Sequence, residues 1–243
     1  MPEILTKMPE ISIKAEPLFK IGSFAFTNSL FTSLIVFFLF LLLGLIYNKE
    51  ARLKKKSQFY YLINFILKTI YQLFESILKE KTMIFFPIFA GFFLYILLNN
   101  WFGLLPGIGS LLFHHLPIFR GNNADLNATI SLALIAFVLI QLNGMKYLGV
   151  KGYLKKFFNI SNPINFFVGI LETISEFSKI ISFSFRLFGN IFAGEVLITI
   201  MAFLIPVLVT FPFLLLEVFV GLIQALVFSM LSAVFLSMAI SHH

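Results

Sequence analysis

The chain has 243 residues, of which 59% are hydrophobic and only 12% are charged, and its mean hydropathy is +0.97. These fractions exclude an ordinary soluble domain and predict a polytopic membrane protein. The absence of cysteine excludes disulfides, thiol nucleophiles and thiolate metal sites. The net charge of +7 does not indicate nucleic acid, because the basic residues lie where they would set membrane topology.

The first predicted membrane helix covers residues 26–47, which is long enough to cross a hydrocarbon core of about 30 Å. It is followed by a lysine-rich stretch at 48–56, which the positive-inside rule places in the cytoplasm or an equivalent inner compartment. The amino terminus is therefore expected outside. Residues 1–26 alternate lysine and glutamate without an early apolar core, so no cleavable signal is predicted.

Three further segments precede the carboxyl-terminal part. Residues 57–80 have the pattern of an amphipathic helix on the inner surface, and a short amphipathic span is the alternative. Residues 83–100 and 126–146 are predicted to cross the membrane. The outer loop between them contains His114 and His115, but no metal site is expected there. Adjacent residues do not share a helix face, and no third ligand is near.

The last two apolar segments, residues 163–205 and 207–240, are nearly twice the length that an upright helix needs. We therefore expect both to be strongly tilted, kinked or partly in the membrane plane, with a turn at Pro206 on the outer side. The expected fold is a single all-α membrane domain, residues 1–243. It is a bundle of five membrane-embedded helices, one amphipathic surface helix and a long tilted carboxyl-terminal hairpin. His242 and His243, at the inner end, are either native or part of a tag.

Arg186 lies in the middle of the segment 163–205, about 20 residues, or about 30 Å of helix, from either end. A side chain cannot reach the interface over that distance. A guanidinium at the centre of a bilayer costs about 2.5 to 3.5 kcal/mol on insertion scales, so by default such a residue marks an ion path.

A stripe of small and polar residues continues from Arg186 in both directions along the predicted helix. Helical spacing places Ser175, Ser178, Ser182, Arg186, Gly189, Asn190 and Ala193 on or next to one face. Close helix packing explains Gly189 and Ala193, because small residues let helices approach each other in membranes. It does not explain Arg186 or the nearby Glu172 and Glu176.

A depth comparison across the hairpin pairs residues of the two long helices. Glu195 lies 11 residues before Pro206 and Glu217 lies 11 after it, so both glutamates are expected at one depth on the outer side. Gln224 approaches the depth of Arg186. The inner side holds Glu172, Ser175, Glu176, Ser178 and Ser182. The pattern predicts two polar regions, one on each side, that meet at a cation.

The last predicted helix has a groove of small residues at every fourth position. The groove is formed by Gly221, Ala225, Ser229, Ala233 and Ser237. It indicates close packing of a neighbouring helix, from this chain or from another subunit.

The motifs RLFGN at 186–190 and AGE at 193–195, with PINF at 163–166 before them and Gln224-Ala225 after them, resemble subunit a of the F-type ATP synthase. The resemblance extends to residues 100–106, 125–129 and 236–239, and thus covers nearly the whole chain.

This resemblance implies a stator that carries protons to and from a rotating ring of c subunits, each with a membrane carboxylate. Arg186 would attract the deprotonated carboxylate and prevent leakage between two half-channels. The outer half-channel would be lined by Asn100, Asn190, Glu195, Glu217 and Gln224. The inner one would be lined by Glu172, Ser175, Glu176, Ser178 and Ser182.

The remaining expectations concern the environment of the chain. The partners would be the c-ring, the b subunits of the peripheral stalk, the rest of the complex and the lipid bilayer, without nucleic acid, cofactor or metal. The chain would be a non-nucleotide-binding subunit and no enzyme on its own. A bacterial plasma membrane is the expected location, with an organellar inner membrane as the alternative.

One departure from the family pattern concerns the outer glutamates. Many bacterial relatives pair one glutamate with one histidine at the positions of Glu195 and Glu217, whereas this chain has two glutamates. Two close carboxylates titrate as a pair. We therefore expect either single change to glutamine to be tolerated better than the double change.

Other classes of protein explain the sequence less well. A self-contained ion-coupled transporter would predict inverted repeats and a substrate pocket, and no repeat is visible in the sequence. An intramembrane enzyme would need an HExxH motif, paired aspartates or a nucleophile motif, which the sequence lacks. A purely structural anchor leaves Arg186 unexplained.

Overall fold

The computed structural model describes residues 15–22, 24–105, 112–113, 116–157, 162–205 and 209–241. In chain order the elements are β1 (Pro17–Ile21), β2 (Phe24–Thr27), α1 (Asn28–Ala51), α2 (Gln58–Leu78), α3 (Thr82–Gly103), β3 (Leu112–Phe113), β4 (Leu116–Pro117), α4 (Leu126–Leu148), α5 (Val150–Phe157), α6 (Pro163–Leu204) and α7 (Thr210–Ile240). The predicted turn at Pro206 and both histidine pairs lie outside the described residues.

Five helical segments in the described part of the chain are long and apolar enough to cross a membrane. This confirms the prediction of an all-α polytopic membrane protein. Helix α6 has 42 residues and α7 has 31. At 1.5 Å per residue their lengths are about 63 and 46 Å, compared with a hydrocarbon core of about 30 Å. The tilt of the two helices stays a prediction.

Helix α2 is amphipathic and leads into α3 through a single turn of 3-10 helix. Its start is capped by Ser57, whose hydroxyl accepts a hydrogen bond from the backbone N–H of Tyr60 at 3.4 Å. It ends at Lys79, which has a positive φ of 50° that breaks the helix. Phe74 of α2 is buried and stacks on Phe89 of α3, with ring centroids 5.8 Å apart. That α2 lies on the membrane surface stays a prediction.

The structure adds short elements that the sequence did not predict, among them the helix α5 and two small antiparallel hairpins. In the hairpin β1–β2, Phe19 pairs with Phe26 and the two rings stack. The hairpin is tied to the start of α1, because the N–H of Asn28 donates to the carbonyl of Glu16 at 3.0 Å. The side-chain oxygen of Asn28 accepts from the N–H of Glu16 in return.

The chain divides into two compact units, and the division falls within its helices. The first unit contains the described residues up to Leu42, Tyr95–Ala128 and Arg186–Ala225. The second contains Leu43–Leu94, Thr129–Phe185 and the residues from Leu226 onward.

The first unit has a polar interior at the start of α1. Asn28, Ser29 and Thr32 are almost completely buried. The hydroxyl of Ser29 donates to a carboxylate oxygen of Asp125 at 2.8 Å, and the other oxygen of Asp125 accepts from the N–H of Asn127. Asp125 therefore joins the start of α4 to α1. Buried polar groups of this kind are tolerated because they are hydrogen-bonded.

The second unit has an aromatic and small-residue core. The ring of Phe183 packs on those of Phe228 and Phe235, with centroids 5.1 and 5.6 Å away. Gly144 of α4 allows the ring of Tyr153 of α5 to lie against the helix, because a Cβ at this position would be 2.5 Å from that ring.

The small-residue groove of α7 is occupied by other parts of this chain at both ends. Ala225, Ser229 and Ala233 are fully buried. Within the first unit, Gly221 lies against Asn100 of α3. Within the second unit, the hydroxyl of Ser237 donates to the carbonyl of Ile77 of α2 at 3.3 Å. Of the two alternatives that the sequence left open, these contacts favour a neighbour inside the chain.

Candidate ion-conducting site

One face of α6 is exposed along most of its length, and it carries the predicted stripe. In the second unit Ser175, Ser178 and Ser182 are exposed, and in the first unit Arg186 and Gly189 are exposed. Of the two remaining members of the stripe, Ala193 is exposed and Asn190 is half-buried. The stripe is bordered by large exposed apolar side chains. These are Ile174, Phe177, Ile181 and Phe185.

The opposite face of α6 explains why the stripe points outward. Phe183, Leu187, Ile191 and Gly194 are buried and follow each other at intervals of three or four residues. Close to this face, the hydroxyl of Ser184 lies 3.2 Å from that of Thr129 of α4 within the second unit. The apolar face of α6 is therefore packed inside the chain, while the face with Arg186 is left open.

In the first unit, the structure brings Glu217 of α7 directly against α6. Glu217 is only 4% exposed. Its carboxyl group fills the space beside Gly194, where an added Cβ would collide with it. Glu217 therefore lies next to the turn of α6 that carries Glu195, as the depth comparison predicts. Any side chain at position 194 would displace the carboxyl group.

The end of α3 is held against α7 one turn beyond Glu217. The side-chain amide of Asn100 donates to the carbonyl of Gly221 at 2.8 Å, and its oxygen accepts from the amide of Asn123 at 2.7 Å. The indole N–H of Trp101 donates to the carbonyl of Val218 at 3.1 Å. These bonds place Asn100 near Glu217 and fix the orientation of the Asn100 amide.

Glu195 forms an ion pair that the sequence analysis missed. A carboxylate oxygen of Glu195 lies 3.6 Å from Nε of Arg120, a loop residue that is 8% exposed. The guanidinium also donates to the carbonyl of Ala124, and the N–H of Arg120 donates to the hydroxyl of Thr32. The available signal was that Arg120 is the sole arginine or lysine between positions 107 and 127.

The other two residues predicted for this side, Asn190 and Gln224, are half-buried and belong to the same unit. Asn190 precedes Glu195 by five residues on α6, and Gln224 follows Glu217 by seven residues on α7. Both therefore lie on the helices that carry the two glutamates, one and a half to two turns away from them, at about 3.6 residues per turn.

In the second unit, the structure separates Glu176 from the exposed serines. Glu176 is buried, and its carboxylate accepts hydrogen bonds from Lys179 at 2.6 Å and from the amide of Gln141 at 2.9 Å. The hydroxyl of Tyr153 donates to the oxygen of Gln141 at 2.5 Å. One residue along a helix turns the side chain by about 100°, so Glu176 faces α4 while Ser175 is exposed.

The surroundings of this cluster keep Tyr153 protonated. Burial raises the pKa of the Tyr153 phenol to about 12, with a further contribution from the negative charges of Glu176 and Glu172. The phenol therefore stays a hydrogen-bond donor to a higher pH than an ordinary tyrosine, whose pKa is about 10. Glu172 itself is half-buried. The ammonium of Lys179 lies 4.6 Å from the centre of the Phe235 ring, which stabilises its charge.

A small cavity of about 10 Å³ adjoins Glu176, Lys179 and Phe183. This is close to the minimum space for a single water molecule. Metal ligands do not cluster anywhere in the described part of the chain, since no group of three or more histidine, aspartate or glutamate side chains is found there.

The fold and these residues define a class of protein. A polytopic helical bundle presents an arginine on the open face of a very long helix, and each of its two units holds carboxylates among amides and hydroxyls. Ionisable groups at such positions are typical of membrane proteins that conduct ions.

Comparison with known proteins identifies the family. The model of the family described as ATP synthase A chain matches residues 29–237. ATP synthase subunit a of Baumannia cicadellinicola is 34% identical over 232 residues, which cover 89% of this chain and 84% of the relative. The Legionella pneumophila (strain Philadelphia 1) subunit a is 28% identical over 97% of this chain and 96% of its own length. That of Moorella thermoacetica is 31% identical over 75% of this chain and 77% of its own length.

The chain belongs to the ATP synthase A chain family. It is accordingly a multi-pass membrane protein and the proton-channel stator subunit of the membrane sector of the ATP synthase. The alternative of a self-contained transporter is not favoured.

Proposed function

We propose that Arg186 is the charge that the carboxylate of each c subunit meets as the ring turns. The observation that carries this proposal is the exposure of Arg186 on a face of α6 that also contains Gly189 and Ala193. Small residues on such a face allow a partner helix to approach closely. A guanidinium there attracts a deprotonated carboxylate and opposes the passage of a proton, so it couples proton flow to rotation.

The outer half-channel in this proposal consists of Asn100, Asn190, Glu195, Glu217 and Gln224. It is supported by the packing of Glu217 against Gly194 and by the hydrogen bond from Asn100 to α7. These groups are half-buried or buried in one compact unit, and carboxyl and amide groups can exchange protons or orient water.

The inner half-channel consists of Glu172, Ser175, Ser178 and Ser182. The exposure of the three serines supports their contact with water or with the ring. For Glu176, the bonds to Lys179 and Gln141 favour a different role within the same region. They tie this part of α6 to α4, and so keep the serines on the open face.

The division into two half-channels suits the energy available. One proton crossing a potential of 100 mV releases about 2.3 kcal/mol, so several protons are needed for each ATP. A ring with many equivalent carboxylates collects that energy in steps.

The proposal also includes contact with the b subunits of the peripheral stalk. In it the chain is no enzyme by itself and binds no cofactor.

The proposed orientation has the amino terminus outside and the carboxyl terminus in the cytoplasm, in a bacterial plasma membrane. It is supported by two groups of lysines. Positions 49 and 54–56 lie in the last turn of α1 and just after it, and positions 146, 151, 155 and 156 lie in the last turn of α4 and after it.

A labelling experiment tests the half-channels. This chain has no native cysteine, so any label found on it marks the introduced residue. Single Ser178→Cys and Asn190→Cys variants are assembled into the complete complex in vesicles of known orientation. A membrane-impermeant thiol reagent should label the first from the cytoplasmic side and the second from the outer side. Ser184→Cys is the control, because Ser184 is 1% exposed and should not react. Labelling of both positions from the same side would contradict the proposal.

A further inference from the structure

The two glutamates of the proposed outer half-channel differ in their surroundings. Glu195 keeps 38% of its side chain exposed and pairs with Arg120. Glu217 is 4% exposed and has no such ion pair among the described residues. Each carboxyl group has one oxygen that is buried without a hydrogen-bond partner among those residues, so the difference lies in the exposure and in the nearby cation. A symmetric pair of carboxylates would give both groups similar neighbours. The structure therefore argues against equal duties for the two.

Arg120 is held firmly enough to act as a fixed charge. Its backbone N–H is bound by Thr32 at 3.2 Å, and its guanidinium donates to the carbonyl of Ala124 at 3.5 Å. The side chain is 8% exposed, so its positive charge is screened little by water. Moving the guanidinium away from Glu195 would also break its hydrogen bond to Ala124, whereas a surface ion pair can separate freely.

The other charged groups of the first unit lie elsewhere. Its described residues include seven charged side chains: Glu16, Lys20, Arg120, Asp125, Arg186, Glu195 and Glu217. Asp125 is bound to Ser29 and Asn127 at the start of α4, and Glu16 and Lys20 belong to the region of the hairpin β1–β2. Arg186 lies nine residues before Glu195, on the exposed face of α6. Among the described residues of this unit, the observed ion pair with an outer glutamate joins Arg120 to Glu195.

We propose that Glu195 and Glu217 divide the work of the outer half-channel: Arg120 holds Glu195 as a permanent anion, and Glu217 is the carboxyl group that takes up and releases each proton. Glu195 and Arg120 are positioning residues in this scheme. The inference rests on the proposed outer half-channel. It replaces the expectation that the two glutamates share one task by the proposal that each has a different task.

The proton step at Glu217 is balanced without any further reactant. A proton from outer water forms an O–H bond with the Glu217 carboxylate, which becomes neutral. That bond breaks when the proton passes to a deprotonated carboxylate of the ring, and Glu217 is charged again. A buried carboxyl group without a paired cation is costly to keep charged, so a short-lived charge suits this position. The charge of Glu195 is stabilised by Arg120, so Glu195 can stay charged throughout the cycle.

The test uses the complete complex in vesicles and measures ATP synthesis driven by an imposed pH and voltage jump. We expect Glu217→Gln to lower the rate at least tenfold. Glu195→Gln in combination with Arg120→Gln removes both charges, and should lower the rate clearly less than Glu217→Gln does. Arg120→Gln alone leaves Glu195 without its cation and should be worse than that double variant. Assembly is checked by the amount of ring that copurifies.

A pH profile separates the proposed roles from a structural effect. Glu217→Asp keeps a carboxyl group and should restore synthesis with an altered dependence on outer pH. Glu195→Gln alone should leave the shape of that dependence unchanged, even if the maximal rate falls. This single variant also serves as the comparison if the double variant does not assemble.

The outcomes distinguish two failures. If loss of Glu195 with Arg120 lowers synthesis as much as loss of Glu217, or if Glu195→Gln shifts the pH profile, the division of work is wrong while the outer half-channel stands. If Glu217→Gln and the double variant both synthesise ATP at the original rate, the proposed outer half-channel itself is wrong.

Discussion

A methyl group at Gly194 offers a sharp test of the packing between α6 and α7. A Cβ at this position would collide with the carboxyl group of Glu217. To restore a normal separation of about 3.5 Å between carbon atoms, that group must move by more than about 1 Å. A displacement of this size in a reacting group can lower a rate about 100-fold. We therefore expect Gly194→Ala to lower ATP synthesis between about 10- and 100-fold.

The same change should have a small effect on folding. Overpacking costs about 1 to 3 kcal/mol, and replacing glycine by alanine within a helix returns up to about 1 kcal/mol. The complex should therefore still assemble, so a loss of synthesis can be assigned to the moved carboxyl group.

The assay is ATP synthesis in vesicles, with Gly91→Ala of α3 as the control. Nothing lies within 4 Å of a Cβ at Gly91, so this variant should retain its activity. Shortening the carboxylate in the double variant Gly194→Ala, Glu217→Asp should recover part of the lost rate. Full activity of Gly194→Ala, or no difference between it and the double variant, would refute the packing argument.

Three further predictions concern the second unit. Gly144→Ala brings a methyl group against the Tyr153 ring. After the gain in helix propensity is subtracted, it should lower the free energy of unfolding by up to about 2 kcal/mol in thermal melts of the complex, whereas Gly152→Ala, with open space around its Cβ, should not lower it. Thr129→Val removes a buried hydroxyl beside Ser184 and should cost about 1 to 3 kcal/mol in the same assay; an unchanged melting temperature would contradict this. The pKa of the Tyr153 phenol is raised to about 12. The stability that the protonated phenol contributes is therefore complete below about pH 10, the pKa of an unfolded tyrosine, and is lost as the pH rises from 10 to 12. In an absorbance titration, Tyr153→Phe should remove the tyrosine that ionises near pH 12. Ionisation of Tyr153 near pH 10 would refute the raised pKa.

The sequence was sufficient to predict the class of fold, for a simple physical reason. A membrane helix is selected by apolar length, and this signal is local, so five helices of that kind could be recognised in the chain. Helical period also predicted that Ser178, Ser182 and Arg186 share a face, and the structure leaves that face open.

The residues that the sequence analysis missed depend on contacts between distant parts of the chain. Arg120 and Glu195 are 75 positions apart, and nothing local to either residue predicts their ion pair. In the same way, the burial of Glu176 depends on which face of α6 packs on Gln141 of α4. The helix α5 was missed because its eight residues are too short and too polar for a membrane signal.

The central claim is that Arg186 is the charge at the interface with the ring. It is tested most directly by ATP synthesis in vesicles that hold the complete complex with Arg186→Ala, driven by an imposed pH and voltage jump. Gly91→Ala of α3, where nothing lies within 4 Å of the added Cβ, is the control. We expect Arg186→Ala to abolish synthesis while the complex assembles, and Gly91→Ala to retain most of it. Undiminished synthesis by an assembled Arg186→Ala complex would show that Arg186 is not the charge at the ring interface.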